Sequence, residues 1–322
     1  MSVEEFFKNL ASQVNLGIGE EEQNLIAAKQ NGLREKLREE IELEDDFLTG
    51  SYARDTITKP KDPGEEFDVD VFVAFSNEEY GEKDLEELRG ITIRALRRVK
   101  AKHPGLGITN INEKQARSVG VEFGGNFQID MVPSIQIEKD RLYKIFDARS
   151  LEAVRSNPKL HGQRLTDANA RTESGSTRRL VPIIKILKSW KREKCDDMKS
   201  FHLEVLAVEI LGNKKIESYS EGIARFFANT EGYFQEACLK DPANPKNIID
   251  EYLDKDGTRD GLLSLVAREK AGVERARAFE ASGDDEKAIR EWKEVFSAGG
   301  EERTPSISVP IIVRSPAKPH AW

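Results

Sequence analysis

The run FDVDVFVAF at positions 67–75 constrains what this chain can fold into more than any other stretch. Apart from Asp68 and Asp70 it is wholly apolar, and a short run rich in valine and phenylalanine predicts a buried β-strand. Residues two apart on a strand project from the same face, so the two carboxylates stand side by side while Phe67, Val69, Val71 and Val73 hold the strand in place. Side by side they repel. That repulsion costs stability unless a cation neutralises it, and hard oxygen donors of this kind suit Mg²⁺, normally held by one or two carboxylates plus substrate phosphates.

A phosphate-binding element and a further acid both stand close by in the sequence. TGSYARDT places Gly50 and Ser51 after a short strand, at the head of a helical turn, where free backbone N–H groups and a hydroxyl can hold a phosphate. GNFQIDMVPSI puts Asp130 in another strand-like run, and a neighbouring strand would bring it beside the first two acids. Three acids would hold two metal ions, one activating an attacking hydroxyl and the other stabilising a leaving pyrophosphate, for in-line displacement at an α-phosphorus. Asp130 is the candidate to receive the hydroxyl proton. A lone D-x-D on a half-exposed strand is ordinarily a solvated face, and a lone Gly-Ser a turn; all three together, in this order, favour a site.

At 322 residues the chain exceeds the size at which single cores stop growing, which predicts two closely packed domains. Helical spacing of Val3, Phe6, Phe7, Leu10 and Val14 predicts one helix, and Ile26, Leu33, Leu37 and Ile41 a second from Glu20 to about Ile41. Strands are expected at Phe47–Leu48, Phe67–Phe75, Ser118–Phe123 and Phe127–Val132, with a helix from Asp84 to Lys100 between them. After Pro133 the pattern turns almost entirely helical, with periods at 180–190, 201–211, 219–238, 261–281 and 284–297. Glycine and proline in SAGGEERTPSISVP break the last of these and leave an extended C-terminal arm. The class is α+β.

Acidic residues outnumber basic ones, for a formal net charge of -8, which argues against a general grip on nucleic acid or a membrane surface. Cys195 and Cys238 form no C-x-x-C pair, so a reduced, cytoplasmic chain is expected. No apolar stretch approaches the roughly 18 residues that span a bilayer. The N-terminus MSVEEFFKNLASQV is acidic and amphipathic where an export signal would be basic and then apolar.

The order GSYARDT, FDVDVFV, FQIDMVP resembles the nucleotidyltransferase superfamily that includes DNA polymerase beta, and within it the oligoadenylate synthetase and cyclic GMP-AMP synthase branch. Downstream, SNPKLHGQRLTDAN, LVPIIKILKSWKRE, KSFHLEVLAVEIL, KDPANPKN and AIREWKEVF resemble, in that order, the bacterial CD-NTases, cyclic oligonucleotide synthases of anti-phage operons; the likeness runs from about Phe47 to Phe296. It implies a polymerase-beta-like nucleotidyltransferase core, a mixed sheet with helices, at residues 1–175. It further implies a helical oligoadenylate-synthetase-like domain at 176–300, with the arm at 301–322. Carried over residue by residue, the resemblance makes Asp68, Asp70 and Asp130 a triad for two Mg²⁺ or Mn²⁺ ions, and Gly50 with Ser51 the phosphate-binding loop. It sets Lys185 and Ser200 against the donor triphosphate and stacks Phe201 on the purine, a contact that contributes ~1–3 kcal/mol and barely discriminates bases. Asp55 stands where the family often has glycine, a departure at the helix entry. On periodicity alone, Lys185 and Lys188 could equally form a solvated stripe and Phe201 ordinary helix core.

The implied activity is template-independent condensation of ATP and other nucleoside triphosphates into a cyclic di- or trinucleotide messenger, through 3′-5′ or 2′-5′ links, with release of pyrophosphate. Ring closure comes from the resemblance alone. One competing reading is a polymer-directed transferase of the CCA- or poly(A)-adding type, which would favour a basic stripe for RNA. Another is a catalytically silent nucleotide-binding protein, against which the presence of all three carboxylates counts. No obligatory nucleic-acid activator is expected, because the predicted second helix ends in an acidic run. A monomer is expected, with the C-terminal arm as a handle for a protein partner. His103, His161, His202 and His320 share no metal-ligand spacing and are expected to be structural. DPANPKN reads as a proline turn around Asn244 and Asn247.

Overall fold

The computed structural model describes residues 1–60, 65–81, 83–138, 142–147, 152–255 and 257–296; the expected arm at 301–322, and His320 with it, lies outside the described residues. The chain forms two compact units. One comprises Leu16–Arg164 with Pro242–Asn244, the other Met1–Asn15, Leu165–Asp241 and the described residues from Pro245 on. The first helix, α1 (Val3–Val14), thus belongs with the helical half, not with the sheet half in which the sequence reading placed it. Aromatic packing explains this: Phe7 is wholly buried, edge-on to Trp292 at 4.9 Å between ring centroids and 6.3 Å from Tyr219.

The sheet unit begins with α2 (Glu20–Arg38), which stops one turn earlier than expected, followed by β1 (Asp45–Thr49) and the short α3 (Gly50–Ala53). Then come β2 (Phe67–Phe75), α4 (Asn77–Tyr80), α5 (Leu85–Lys102), β3 (Asn110–Asn112) and β4 (Val119–Glu122). A long β5 (Phe127–Glu138), β6 (Leu142–Asp147) and β7 (Glu152–Ser156) complete it. The strand order is β1-β2-β5-β4-β3, with β6 on the later part of β5 and β7 on β6. Strands β2 and β5 are parallel and the other pairs antiparallel, so the sheet is mixed.

Every second residue of β2, from Val69 through Val71 and Val73 to Phe75, enters one core with Leu33 and Leu37 of α2, Leu96 and Val99 of α5, and Ile129 and Met131 of β5. Each such side chain withdrawn from water contributes ~1.5–3 kcal/mol. Two unit charges on adjacent positions, at an effective dielectric of about 20, repel by only ~3 kcal/mol. The core face therefore fixes the strand, and the acids must accept the other face.

The expectation that strands end at Pro133 is not met: β5 runs through it to Glu138, and β6 and β7 follow. Proline is tolerated because β5 changes neighbours there. Its pairing with β4 ends at Met131 and its pairing with β6 begins at Ser134, so the missing N–H falls between two ladders.

Helix α6 (Pro158–Arg171), which periodicity did not reveal, leads into the helical unit. There α7 (Leu180–Lys194), α8 (Ser200–Leu211), α9 (Tyr219–Thr230), α10 (Thr258–Ala281) and α11 (Asp285–Phe296) surround a core containing Trp190, Phe226, Phe227 and Trp292. The α9 segment is shorter than its predicted period and passes into a 3-10 turn at Glu231–Phe234. The expected proline turn is present at Pro242–Ala243, where it joins β8 (Lys240–Asp241) to β9 (Asn244–Ile248); Asn244 and Asn247 lie in β9, and the Asn247 amide donates to Asp241 Oδ2 at 3.2 Å. No described helix is long and apolar enough to cross a membrane.

Candidate active site

Strand register assembles the acids. On the face opposite the core, one transverse row runs Thr49, Asp70, Asp130, Gly120 across β1, β2, β5 and β4, and the next runs Asp68, Gln128, Glu122. Asp70 and Asp130 are direct partners on parallel neighbours, about 4.8 Å apart at the backbone, and Asp68 lies two residues before Asp70 on the same face. All three carboxylates expected to converge are thus on one patch of one sheet. Beyond them, Phe47, Phe72 and Tyr143 cluster with centroids 5.4 to 5.7 Å apart and close that face with aromatic rings.

Gly50 and Ser51 open α3 directly after β1, as the sequence requires. Gly50 has φ +69°, and a Cβ built on it would lie 1.8 Å from Asp70 Oδ2, so the turn backbone rests against the carboxylate. Only glycine fits there. The Ser51 carbonyl accepts N–H bonds from Thr56 (2.9 Å) and Ile57 (3.1 Å), which fold the loop back on itself. Asp55, the departure from the family pattern, has φ 53°, a left-handed conformation that aspartate tolerates better than most residues. It does at this position what glycine would do.

Hydrogen bonds hold two of the carboxylates from behind. Gln115 Nε2 donates to Asp130 Oδ1 at 3.0 Å, Ser118 Oγ donates to Gln115 Oε1 at 2.6 Å, and Gln128 Nε2 donates to Asp68 Oδ1 at 2.5 Å. Asp70 and Asp130 are only 7% and 1% exposed. Among the described residues, no set of three or more acidic, imidazole or thiol side chains stands ready-gathered as a metal cage. The residues nevertheless fit a hard divalent cation: the donors are carboxylate oxygens, two of the acids are withdrawn from water beside one another, and the buried Thr49 hydroxyl in the same row makes no hydrogen bond.

The remaining expected residues lie in the helical unit. Lys185, Lys188 and Lys191 of α7 are all buried, so the solvated-stripe alternative fails. Lys185 Nζ donates to Asn15 Oδ1 at 2.7 Å, and Lys188 pairs with Glu204 of α8 at 2.5 Å, both side chains being almost wholly enclosed. Ser200 is the first residue of α8, and Phe201 joins the hydrophobic cluster of this unit. The entry to α8 is fixed by Tyr252, whose Oη accepts the Lys199 N–H at 2.7 Å and lies 3.0 Å from His202 Nδ1. Burial, with Arg259 and Lys199 nearby, pushes the His202 pKa down to about 3, which makes it a neutral structural group at ordinary pH.

Sequence reading missed Gln115, Ser118, Thr49, Gly120 and Gln128. Only Gln128 carried a local signal: it precedes Asp130 by two residues, as Asp68 precedes Asp70. The others owe their place to register and loop closure, which no local pattern encodes.

A family model described as the Second Messenger Oligonucleotide or Dinucleotide Synthetase domain matches residues 1–169. A cyclic AMP-AMP-AMP synthase from an Acinetobacter species is 26% identical over 264 residues, covering 78% of this chain and 71% of its own. Among solved structures, E. coli MS115-1 CdnC with ATP superposes with a TM-score of 0.69 at 17% identity, over 92% of this chain and 98% of that one. Vibrio cholerae DncV cyclic AMP-GMP synthase, in complex with the linear intermediate 5′ pppA(3′,5′)pG, gives 0.68 at 14% identity, over 92% and 96%. The CdnC:HORMA-deltaN complex of E. coli MS115-1 gives 0.66 at 18% identity, over 92% and 97%. At these identities the likeness to solved structures shows the fold.

Proposed function

The chain belongs to the second messenger oligonucleotide or dinucleotide synthetase family and is a nucleotidyltransferase; from that premise we propose that it condenses ATP and other nucleoside triphosphates into a cyclic di- or trinucleotide messenger. The observation that carries the proposal is the opposed register of Asp70 and Asp130, with Asp68 on the same face and the Gly50 turn resting on Asp70. The printed activities of the Acinetobacter and Vibrio relatives support the product class.

In this reading Asp68, Asp70 and Asp130 would hold Mg²⁺ or Mn²⁺, which when bound neutralises phosphate charge and favours departure of pyrophosphate. The Gly50–Ser51 turn presents backbone N–H groups and a hydroxyl to the triphosphate, and its contact with Asp70 sets the distance between phosphate and acids. A ribose hydroxyl attacks the α-phosphorus, the bond to the β-phosphate oxygen breaks, pyrophosphate leaves, and Asp130 takes the hydroxyl proton. Lys185 and Ser200 are assigned to the triphosphate and Phe201 to the base, as the family resemblance implies.

No nucleic-acid activator is proposed. Three basic residues of α5 are paired with acids: Arg97 with Glu113 at 2.5 Å, and Arg98 and Lys102 with Glu40 at 2.6 Å each. A protein partner is proposed in its place, a reading that the CdnC:HORMA-deltaN complex supports. The test of the whole reading is mass spectrometry of the product made from all four ribonucleoside triphosphates with Mg²⁺ or Mn²⁺, beside an Asp68→Asn, Asp70→Asn control. A cyclic oligonucleotide absent from the control is expected; a linear polymer that requires added RNA refutes it.

A further inference from the structure

We propose that Gln115, Ser118 and Gln128 are positioning residues for the transfer reaction, seated over Gly120, which fix the orientation of the Asp130 and Asp68 carboxylates. This rests on the nucleotidyltransferase reading above and adds to it a layer behind the acids.

The amide orientation of Gln115 follows from counting protons. Ser118 has one hydroxyl proton; its Oγ is 2.6 Å from Gln115 Oε1 and 3.4 Å from Asp130 Oδ2, so the proton goes to the glutamine. With Oε1 occupied as an acceptor, Nε2 must face Asp130, which it does at 3.0 Å. The loop that carries Gln115 is itself tethered, because Arg89 Nη2 donates to the Gln115 carbonyl at 3.3 Å and also to that of Glu113. Gln115, Ser118 and Gln128 are 6%, 4% and 4% exposed, so water does not compete for these bonds. A carboxylate held by such a donor keeps one rotamer, and its remaining lone pairs keep one direction.

Gly120 makes room for both amides. It is the register partner of Asp130, and a Cβ on it would lie 3.1 Å from Gln115 Nε2, 3.2 Å from Gln128 Oε1 and 3.3 Å from Asn112 Cβ. Its φ is not left-handed, so space, not backbone conformation, is what requires glycine. Alanine at 120 touches neither acid but displaces both glutamines by a few tenths of an ångström. That separates the proposal from any direct contact with substrate.

The test uses the full chain with Gln115→Leu, Ser118→Ala, Gln128→Leu and Gly120→Ala, and Asp130→Asn as reference. Readouts are kcat and KM for ATP, Mn²⁺ binding by calorimetry in the presence of a non-hydrolysable ATP analogue, and thermal midpoint. Gln115→Leu and Gln128→Leu are expected to lower kcat or weaken Mn²⁺ binding ~10–100-fold, with KM for ATP within threefold of wild type. Gly120→Ala should move both quantities in the same direction by a smaller factor. If Gln115→Leu unfolds the chain, Ser118→Ala, which removes only a hydroxyl, decides. Unchanged kcat and unchanged Mn²⁺ affinity in folded Gln128→Leu and Ser118→Ala overturn the proposal. Were Asp130→Asn itself to retain full activity, the nucleotidyltransferase assignment of the triad would fall instead.

Discussion

Replacing Gly50 with alanine tests the closest approach in the site. The added Cβ would lie 1.8 Å from Asp70 Oδ2 and 2.6 Å from its Cγ, against a practical floor of 3.0 Å for real Cβ contacts, so turn and carboxylate must separate by about 1.2 Å. Asp70 has little freedom to yield, because its backbone is paired with Thr49 of β1 on one side and with Asp130 of β5 on the other. The displacement therefore falls on the Gly50–Ser51 turn. Alanine at φ +69° adds a backbone cost of ~1–2 kcal/mol, which should appear as a thermal midpoint a few degrees lower. A misplacement of about 1 Å between phosphate-holding and acid-holding groups can cost ~10²-fold in rate. The expected outcome is a kcat for pyrophosphate release from ATP about 100-fold below wild type in a chain that still folds, measured by coupled phosphate assay alongside circular dichroism melting. Ser51→Ala keeps the backbone path and loses one hydrogen-bonding group, worth roughly 1 kcal/mol, so a loss of only several-fold is expected. A folded Gly50→Ala variant within threefold of wild-type kcat would show that the turn need not rest on Asp70.

Lys188→Met leaves Glu204 buried without its lysine and should lower stability by ~3–5 kcal/mol in urea titration, whereas Lys188→Met with Glu204→Leu should recover most of the loss; equal destabilisation by both variants refutes a buried pair. His202 binds its proton at about pH 3 in the folded chain but near the ordinary value of about 6.5 when unfolded, so the unfolded state takes up more protons between those values. Stability should therefore fall as pH drops from about 6.5 toward 3, and the urea midpoint of a His202→Gln variant should lose that contribution to the slope. Phe201→Leu retains an apolar filling but no ring, and should raise KM for ATP by ~5–150-fold if the base stacks there; an unchanged KM assigns Phe201 to the core alone. Added duplex DNA or RNA should leave the rate unchanged at low and high salt, and a salt-sensitive rise would overturn the absence of a nucleic-acid activator.

The strands that carry the acids were legible because one face of each is dictated by burial. Phe67–Phe75 is observed with the bounds its pattern suggests, and the two residues that break the apolar run both lie on the face away from this core, together with Phe72 and Ala74. What the pattern could not supply was anything set by pairing. Pro133 looks like a strand terminator until β4 and β6 are seen to hand over on either side of it. α1 falls within the 1–175 span expected to form the sheet-bearing core, but Phe7 finds its partners in Trp292 and Tyr219, more than two hundred residues later. Gln115 has no local pattern at all; its role exists only because a loop tethered by Arg89 delivers an amide to Asp130.

Register also links stability to chemistry in this sheet. Val69, Val71 and Val73 of β2 and Ile129 and Met131 of β5 share one core, so the alignment that buries them together is the alignment that opposes Asp70 to Asp130. A slip of one residue between the two strands would turn Asp130 into that core and expose its apolar neighbours, at a cost of several buried side chains of ~1.5–3 kcal/mol each. No register penalty guards the glutamines, whose hold on Asp130 and Asp68 depends on a few hydrogen bonds to carboxylates of roughly 1.5–3 kcal/mol apiece. Substitutions on the core face should therefore show first as lost stability with the site geometry retained, and Ser118→Ala and Gln128→Leu as a loss of rate out of proportion to the loss of stability. The two faces of β2 and β5 can be perturbed separately because the strand period assigns the apolar core to one and the acids to the other.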